Sequence, residues 1–217
     1  MTVTRRRFLA AGATVGGGMI AGCTDLSEEL ESRPATVSRA ALEDIGYGEH
    51  TVEEFPVERS ISRFGLERSI EVTNWYAEYD RSISLDMFGL TRVQAAIVSV
   101  LTTPQVSFLG RTFNPVGEYS TDELVELIQN RYDELEDVQY VDDRPVSILG
   151  TETALSRYAA RARLAAVDAT VDVFVELSEP VAHGDDFVIC VAVYPQVRGF
   201  ETESGAVRTL LESVEHE

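Results

Sequence analysis

Alternation of apolar and polar residues predicts strands along much of the chain, because neighbouring side chains of a strand point to opposite faces. The stretch 171–177 alternates strictly, which predicts a strand with one buried face. The continuous apolar runs 95–101 and 187–193 predict strands that are covered on both faces. Pro104 is expected to end the first of these strands, and the polar segment 183–186 predicts a turn before the second.

Two weaker alternating runs predict a hairpin in the first half of the domain. One begins at Val52 and the other continues to about Tyr79, with Phe64 and Gly65 as the turn between them. The second strand is partly apolar on both faces, so we expect it to be covered on both sides.

The region 138–163 predicts further strands. Residues 138–141 form a short one, and residues 145–148 lead through Gly150 into a longer strand, 151–163. Strands that follow one another through hairpins favour an antiparallel sheet.

Helical spacing and capping residues predict three helices. Thr36 or Ser38 can cap a short first helix that Gly46 ends. A capping box begins the clearest predicted helix, about residues 121–135. Ser204 is expected to cap a final helix. The apolar face of this last helix comprises Val207, Leu210, Leu211 and Val214.

The order of these elements predicts an α+β fold, with a mainly antiparallel sheet and helices packed on a face. We expect a single domain over residues 34–217. The preceding residues divide into a signal peptide, 1–22, and a short acidic tether, 23–33.

The first residues have the form of an export signal. Arg5 and Arg6, followed by Phe8 and Leu9, resemble a twin-arginine (Tat) signal, and the segment ending at Cys23 resembles a lipobox. The apolar run is 15 residues long, whereas a membrane-spanning helix needs about 20. A plain secretory signal with an incidental cysteine remains the alternative.

Lipidation at Cys23 would determine where the protein lies. One acyl chain anchors only marginally, whereas two chains anchor stably. A Cys23 that carries more than one chain would hold the domain on the outer face of the cytoplasmic membrane. The membrane is therefore the first expected partner, and Tat export predicts that the domain folds before it crosses.

The charge balance excludes some classes of protein and indicates that the protein works in concentrated salt. The 217 residues include 37 acids and 18 arginines but no lysine, for a net charge of −19. Such a charge argues against nucleic acid as a partner, and 44% hydrophobic residues argue against disorder. Residues 1–22 contain three arginines and no acids, so their removal leaves −22. Molar salt, with a Debye length of about 3 Å, would screen this self-repulsion.

Several segments together resemble an uncharacterised family of haloarchaeal Tat-exported lipoproteins, described as a domain of unknown function. The resemblance is carried by residues 34–38, 46–47, 71–75, 78–79, 99–105, 112–117, 149–153, 184–187 and 194–195. It implies an extracellular location and a saline habitat, and it implies no catalytic residue. The order of elements is also similar to that of PsbP/Mog1-like domains, which serve interaction rather than catalysis.

The candidates for catalysis or metal binding are few. His183 could form a triad with Asp185 or Asp186 and a serine, but G-x-S-x-G is absent, and a polar hairpin turn explains this segment as well. His216, next to the C-terminus, is expected to be solvated. The two cysteines and three histidines are too few for a structural zinc site, and no calcium loop of EF-hand type occurs. We therefore expect no metal and no cofactor.

Loop 104–119 is the candidate interaction surface. It carries Phe108, Arg111, Phe113 and Tyr119, and aromatic and arginine side chains are the usual hot spots of interfaces. The alternative is that its aromatic residues fold back onto the end of the sheet.

The sequence predicts a binding or assembly domain without catalysis of its own, with a possible protein partner at the cell surface. Two alternatives stay open. An extracellular hydrolase would need His183 buried beside a serine and an acid. A small-ligand carrier would need a sizeable apolar pocket between sheet and helices. Cys190, within an apolar run, is expected to be a buried hydrophobic residue rather than a nucleophile.

Overall fold

The structure, a computed structural model, describes residues 29–63, 66–85, 90–105, 107–108, 111–112, 135–164, 169–196 and 200–217. In chain order the strands of this part are β1 (Glu29–Glu31), β2 (Ala35–Val37), β3 (Gly48–Arg63), β4 (Leu66–Leu85), β5 (Leu90–Pro104), β6 (Ser107–Phe108), β7 (Arg111–Thr112), β8 (Leu135–Ile148), β9 (Thr151–Leu164), β10 (Ala169–Ser178), β11 (Val181–His183), β12 (Asp186–Pro195) and β13 (Val214–His216). The helices are α1 (Arg39–Ile45) and α2 (Phe200–Glu212).

One large sheet organises the described residues. Its strand order is β1-β4-β5-β12-β10-β9-β8, with β3 paired to β4 and β11 paired to β12. The pairs are antiparallel except for β1, which runs parallel to β4. Two small sheets, β13-β2 and β6-β7, accompany the large one.

The predicted fold class, α+β with a mainly antiparallel sheet and helices packed on a face, is wrong because it gives too much weight to helices. The described chain is mostly β, with a large mixed sheet and two helices. Part of the reason is β8, which runs unbroken from Leu135 to Ile148, although only two short strands were predicted there. Register shifts near Glu136 and Tyr140 interrupt its alternation while its pairing with β9 continues. The predicted helix at 121–135 lies outside the described residues, except for Leu135, which begins β8.

The hairpin prediction for the first half is confirmed. Strands β3 and β4 pair antiparallel from Gly48 opposite Asp80 to Arg63 opposite Leu66. The predicted turn, Phe64 and Gly65, lies outside the described residues. The predicted central strand at 95–101 is also confirmed, because β5 lies between β4 and β12 and Pro104 is its last residue.

The first helix begins and ends where the capping residues predicted. The hydroxyl of Ser38 accepts a hydrogen bond from the backbone N–H of Ala41. Gly46 ends the helix with φ of 78°, a left-handed conformation that is strained for residues with a Cβ atom.

The second helix starts five residues earlier than predicted, since a helix capped by Ser204 would begin at Gly205. It begins at Phe200, so Ser204 lies within it and does not cap it. The predicted apolar face is correct for Val207, Leu210 and Leu211, all of which are completely buried. Val214 is also buried but belongs to β13, not to the helix.

The core lies on both faces of the sheet. On one face, side chains of the central strands pack with those of α1, α2 and β2. Among the largest buried side chains of this cluster are Tyr79, Tyr194, Ile148, Leu210 and Leu211. The other face buries the alternating residues of β10, as predicted, since the four apolar side chains of 171–177 are at most 3% exposed.

The first and last segments of the described domain lie side by side. Strand β13 pairs antiparallel with β2, so that Val214 lies opposite Val37 and His216 lies opposite Ala35. Two hydrogen bonds fix this small sheet on the large one. Ala35 N donates to Oγ1 of Thr102 at 3.1 Å, and Val37 N donates to the hydroxyl of Tyr79 at 2.9 Å.

Candidate functional site

An open cleft lies where the chain enters the sheet. Strand β1 pairs with β4, placing Glu31 opposite Thr73. The Ser32 hydroxyl donates to the backbone carbonyls of Thr73 at 2.9 Å and Thr102 at 3.2 Å, which holds the next residues against the sheet. The resulting cleft has a volume of about 400 Å³. It is lined by Glu31, Ser32, Arg33, Pro34, Glu54, Pro56, Glu71, Thr73 and Trp75.

Register in the sheet explains why these side chains converge. Thr73 of β4 lies opposite Glu31 on one side and opposite Pro56 of β3 on the other. The next residue on the same face of β4, Trp75, lies opposite Glu54. The cleft is therefore built on three neighbouring strands, with the half-buried Trp75 on its wall.

The charge of the cleft is mainly negative. Glu31, Glu54 and Glu71 are all exposed, and Arg33 is the one cation among the lining residues. The guanidinium of Arg33 donates from one terminal nitrogen to the carbonyl of Glu217 at 3.3 Å. The cleft thus combines acidic side chains, an indole and two prolines, which suits a ligand with both a cationic and an apolar part.

A chain of two imidazoles and a carboxylate lies beside the cleft. Nδ1 of His183 is 2.9 Å from Nδ1 of His216. Nε2 of His216 is 3.1 Å from Oδ2 of Asp186, which also accepts the backbone N–H of Arg33 at 3.0 Å. Arg33 therefore connects this histidine cluster (His183, His216 and Asp186) to the cleft.

Gln105 fixes the turn that carries the histidine cluster. Its backbone N–H donates to the carbonyl of Asp185 at 2.7 Å, and its side-chain amide donates to the carbonyl of Asp186 at 2.9 Å. The turn Gly184-Asp185 is thereby held at the end of β5, where Pro104 lies opposite Asp186.

A second polar cluster is buried between the sheet and α2. Arg157 and Glu176 lie opposite each other on β9 and β10 and are 3% and 1% exposed. Nε of Arg157 donates to Oε1 of Glu176 at 2.8 Å, and a terminal nitrogen bonds the same oxygen. That nitrogen also lies 2.9 Å from the Tyr194 hydroxyl and 2.7 Å from that of Ser204. The guanidinium lies 4.8 Å above the centre of the Phe174 ring.

This buried network holds α2 on the sheet. Ser204, predicted to cap the helix, accepts from Arg157 on the sheet. One residue earlier, Glu203 accepts the Tyr47 hydroxyl at 2.5 Å and forms an ion pair with Arg81. Burial, strengthened by Glu203, raises the pKa of Tyr47 well above its ordinary value. A neutral tyrosine and a charged pair therefore fasten the first turns of the helix.

The sequence-predicted site residues fall mostly outside the part that the structure describes. These are Arg5, Arg6, Phe8, Leu9, Cys23, Phe113 and Tyr119. Phe108 and Arg111 lie opposite each other in the small hairpin β6-β7, and only their backbone is described. Lipidation at Cys23 and interaction through loop 104–119 stay predictions.

The structure describes Cys190, the turn at 183–186 and His216, for each of which the sequence made a prediction. Cys190 is completely buried, as predicted, and burial raises the pKa of its thiol to about 12. The turn at 183–186 is confirmed by the hairpin between β11 and β12. The prediction that His216 is solvated is wrong, because its side chain is only 3% exposed. Pairing of β13 with β2 draws it inward.

No pattern in the sequence directly indicated the histidine cluster or the buried network. Asp186 was considered only as a partner of His183, whereas its carboxylate bonds His216. Within the described residues, no serine hydroxyl hydrogen-bonds either imidazole of the cluster. Arg157 could have been noticed, because it lies in a strand where small and apolar residues predominate.

Two features are absent from the part of the chain that the structure describes. Neither described helix has the length and apolar content that a membrane crossing requires. Within the same residues, no group of three or more histidine, cysteine, aspartate or glutamate side chains is placed to hold a metal ion.

The described residues form a β-sheet domain with two polar clusters and an open, acidic cleft beside β1. Residues 34–215 match a family described as a domain of unknown function, DUF6517, and the chain belongs to this family. No curated protein matches the chain. It is similar to cyanobacterial PsbP (CyanoP) from Synechocystis sp. PCC 6803, known from a solution structure, at 11% sequence identity. That similarity covers 95% of this chain and 98% of the other, with a TM-score of 0.38, which is a weak likeness.

Proposed function

We propose that this protein is a lipid-anchored domain on the outer face of the cytoplasmic membrane, and that it binds a cationic segment of a partner protein without catalysis of its own. The observation that carries the binding role is the cleft. It is open, it has three exposed glutamates, and it presents an indole beside them.

The chemistry of the cleft favours an arginine-containing segment. A guanidinium can pair with a carboxylate through two hydrogen bonds and can also stack on an indole. Glu54 and Trp75 are cross-strand neighbours, so one guanidinium could meet both side chains. Contacts of this kind are short, and they persist in molar salt better than long-range attraction does.

The position of the cleft suits an anchored protein. If Cys23 carries lipid, the chain from Cys23 to Glu29 spans at most about 20 Å at its full extension. Arg33 and Pro34, which line the cleft, follow directly after β1. A partner bound in the cleft would therefore lie close to the membrane surface.

The two alternatives have less support. A hydrolase of the serine type needs a hydroxyl beside an imidazole, whereas His183 and His216 bond each other. A carrier needs an enclosed apolar pocket, whereas the helix side of the sheet is filled by completely buried side chains such as Tyr79 and Tyr194. The cleft itself is open and partly charged.

Fluorescence of Trp75, the only tryptophan of the chain, tests the binding role. The probe is a Gly-Arg-Gly-Arg-Gly peptide in molar salt, with the matched glutamine peptide as control. We expect the arginine peptide to shift the emission saturably and the glutamine peptide to leave it unchanged. The double variant Glu54→Gln/Glu71→Gln should weaken binding about tenfold or more, since each direct ion pair lost costs about 1 kcal/mol.

Glu152→Gln is the matched control, because Glu152 is an exposed strand residue that does not line the cleft. It should bind like the wild type. Equal responses to both peptides, or equal affinity of the cleft variant and the control, would show that the cleft does not recognise cations.

A second experiment tests the anchor. Cys23→Ser should move the protein from the membrane fraction to the medium or leave its signal uncleaved, because residue 23 then has no thiol to carry lipid. Cys190→Ala is the control, since Cys190 is buried and should not affect localisation. Retention of the Cys23→Ser protein in the membrane after cleavage of its signal would exclude a lipid anchor at this residue.

A further inference from the structure

One hydrogen bond between two imidazoles joins the C-terminal strand to the turn before β12. Nδ1 of His183 lies 2.9 Å from Nδ1 of His216, and the ring centres are 5.2 Å apart. Two ring nitrogens at this distance form a hydrogen bond only if one carries a proton and the other keeps its lone pair. The contact therefore depends on the protonation state of both rings.

Asp186 determines which of the two nitrogens accepts. The side chains of Asp186 and His216 are 6% and 3% exposed, and Oδ2 of the carboxylate lies 3.1 Å from Nε2 of the imidazole. A carboxylate accepts hydrogen bonds, so Nε2 of His216 carries a proton and Nδ1 of the neutral ring keeps its lone pair. Nδ1 of His183 is then the donor.

A first added proton leaves this bond intact. It can bind to the other ring nitrogen of His183, Nε2, and the resulting imidazolium still donates from Nδ1 to His216. Such a bond is charge-assisted and therefore stronger. Solvent can supply this proton, because His183 is only half-buried and adjoins the exposed turn Gly184-Asp185.

A second added proton breaks the bond. Both rings would then carry a proton on Nδ1, and two cationic N–H groups would point at each other at 2.9 Å. The closed pair thus holds one proton fewer than two separated imidazolium rings. Because the open form binds the extra proton, acidification favours opening, by at most about tenfold for each pH unit.

The neighbouring charges do not remove this clash between the two rings. The ionisable groups of the adjoining elements are Asp186 on β12, Asp185 in the turn, Arg33 before β2, and Glu215 and Glu217 on the two sides of His216. Carboxylates and guanidinium groups as classes stay charged between pH 5 and pH 8, whereas imidazoles change charge there. Over this interval the change in charge around the pair therefore comes from its two imidazoles.

The bond matters for β13 because this strand is short. It has three residues, it pairs with β2, and its last residue is His216. So short a strand has few backbone hydrogen bonds to hold it, and the side chain of His216 adds a further attachment. Asp186 also accepts the backbone N–H of Arg33 at 3.0 Å, so the same cluster holds the residues before β2.

We propose that His183 and His216 form a proton-operated clamp, which holds β13 on the domain near neutral pH and releases it in acid, when both imidazoles carry a charge. The clamp would operate whether or not the cleft binds arginine.

The test uses the full chain with Cys23→Ser, which carries no lipid, in molar salt at pH 8 and pH 5. Hydrogen–deuterium exchange of the amides in β2 and β13 is followed by mass spectrometry and corrected for the intrinsic pH dependence of exchange. We expect protection of these two strands to fall at least about tenfold at pH 5, whereas the central strand β10 keeps its protection.

Two variants make the result specific. In His183→Asn, the side-chain amide can turn either its NH₂ group or its oxygen toward His216, so it satisfies that ring in both protonation states. This variant should keep β2 and β13 protected at pH 5. His50→Ala is the control, because His50 is exposed and pairs with Asp80 instead, and it should respond to acid like its parent. Circular dichroism confirms that each variant is folded.

Nitrogen-15 spectra of the imidazoles at pH 8 test the arrangement of protons directly. We expect the proton on Nδ1 in His183 and on Nε2 in His216. Protons on Nε2 in both rings, equal protection of β13 at the two pH values, or an undiminished acid response in His183→Asn would show that the imidazole pair does not control this strand.

Discussion

The buried network beneath α2 and the cleft at the domain entrance use arginine and glutamate in opposite settings. In the network, Arg157 and Glu176 are almost completely buried and direct their hydrogen bonds to each other, Tyr194 and Ser204. In the cleft, the glutamates are exposed and outnumber the arginine. The difference separates two roles. A buried network whose charges pair with each other supports the fold, whereas exposed and unbalanced charge remains available to a partner.

The largest effect is expected from breaking the buried pair. Arg157→Met leaves Glu176 buried without its cation, and such a loss costs about 3–5 kcal/mol of unfolding free energy. Urea unfolding in molar salt, followed by circular dichroism, measures it. The double variant Arg157→Met/Glu176→Leu should regain much of this loss, because it leaves no charge buried alone. A single variant as stable as the wild type would contradict the role given to the pair.

An intermediate effect is expected at alkaline pH. Burial and Glu203 raise the pKa of Tyr47 in the folded state, whereas an unfolded tyrosine ionises near pH 10. Above pH 10 the unfolded state therefore binds fewer protons than the folded state, so stability falls as pH rises. The contribution of Tyr47 is fully present below pH 10.

Urea unfolding at pH 8 and pH 10.5 measures this loss. Tyr47→Phe should reduce the difference between the two pH values, although Tyr79 and Tyr194, whose pKa values burial also raises, keep part of it. Tyr140→Phe is the control, because Tyr140 is 56% exposed. If the Tyr47→Phe protein kept the full pH dependence, Tyr47 would not contribute to the loss of stability at alkaline pH.

The smallest effect on stability is expected in the cleft. Glu54→Gln changes an exposed side chain, so its unfolding free energy should stay within about 0.5 kcal/mol of the wild type. The same urea titration measures it. A loss above about 1 kcal/mol would show that Glu54 stabilises the fold, and the cleft would then not differ from the buried network in this respect.

Local signals in the sequence predicted local structure well. Ser38 and Gly46 limit α1 as expected, and the alternation at 171–177 identified the buried face of β10. The boundaries of β8 were not predictable in the same way. Its register shifts near Glu136 and Tyr140 break the alternation on which the prediction relied, and pairing with β9 extends the strand across them.

The polar clusters depend on contacts between distant parts of the chain. Asp186 and His216 are 30 residues apart and meet only because β13 pairs with β2. The cleft glutamates could not be recognised in the sequence, because they are three of 37 acidic residues and most acidic side chains are simply solvated on the surface. The high content of acidic residues therefore prevented prediction of the cleft from the sequence.

The pairing of β2 with β13 determines how late in synthesis the domain can complete its fold. Residues 35–37 are synthesised early, but their strand partner consists of residues 214–216. A chain still growing on the ribosome lacks this partner, and the carboxylate of Asp186 lacks His216. The contacts between β2 and β13 therefore form only after residues 214–216 have been synthesised. A chain that lacks residues 214–216 would leave β2 without its strand partner, and we expect proteases to cleave it more readily near this strand.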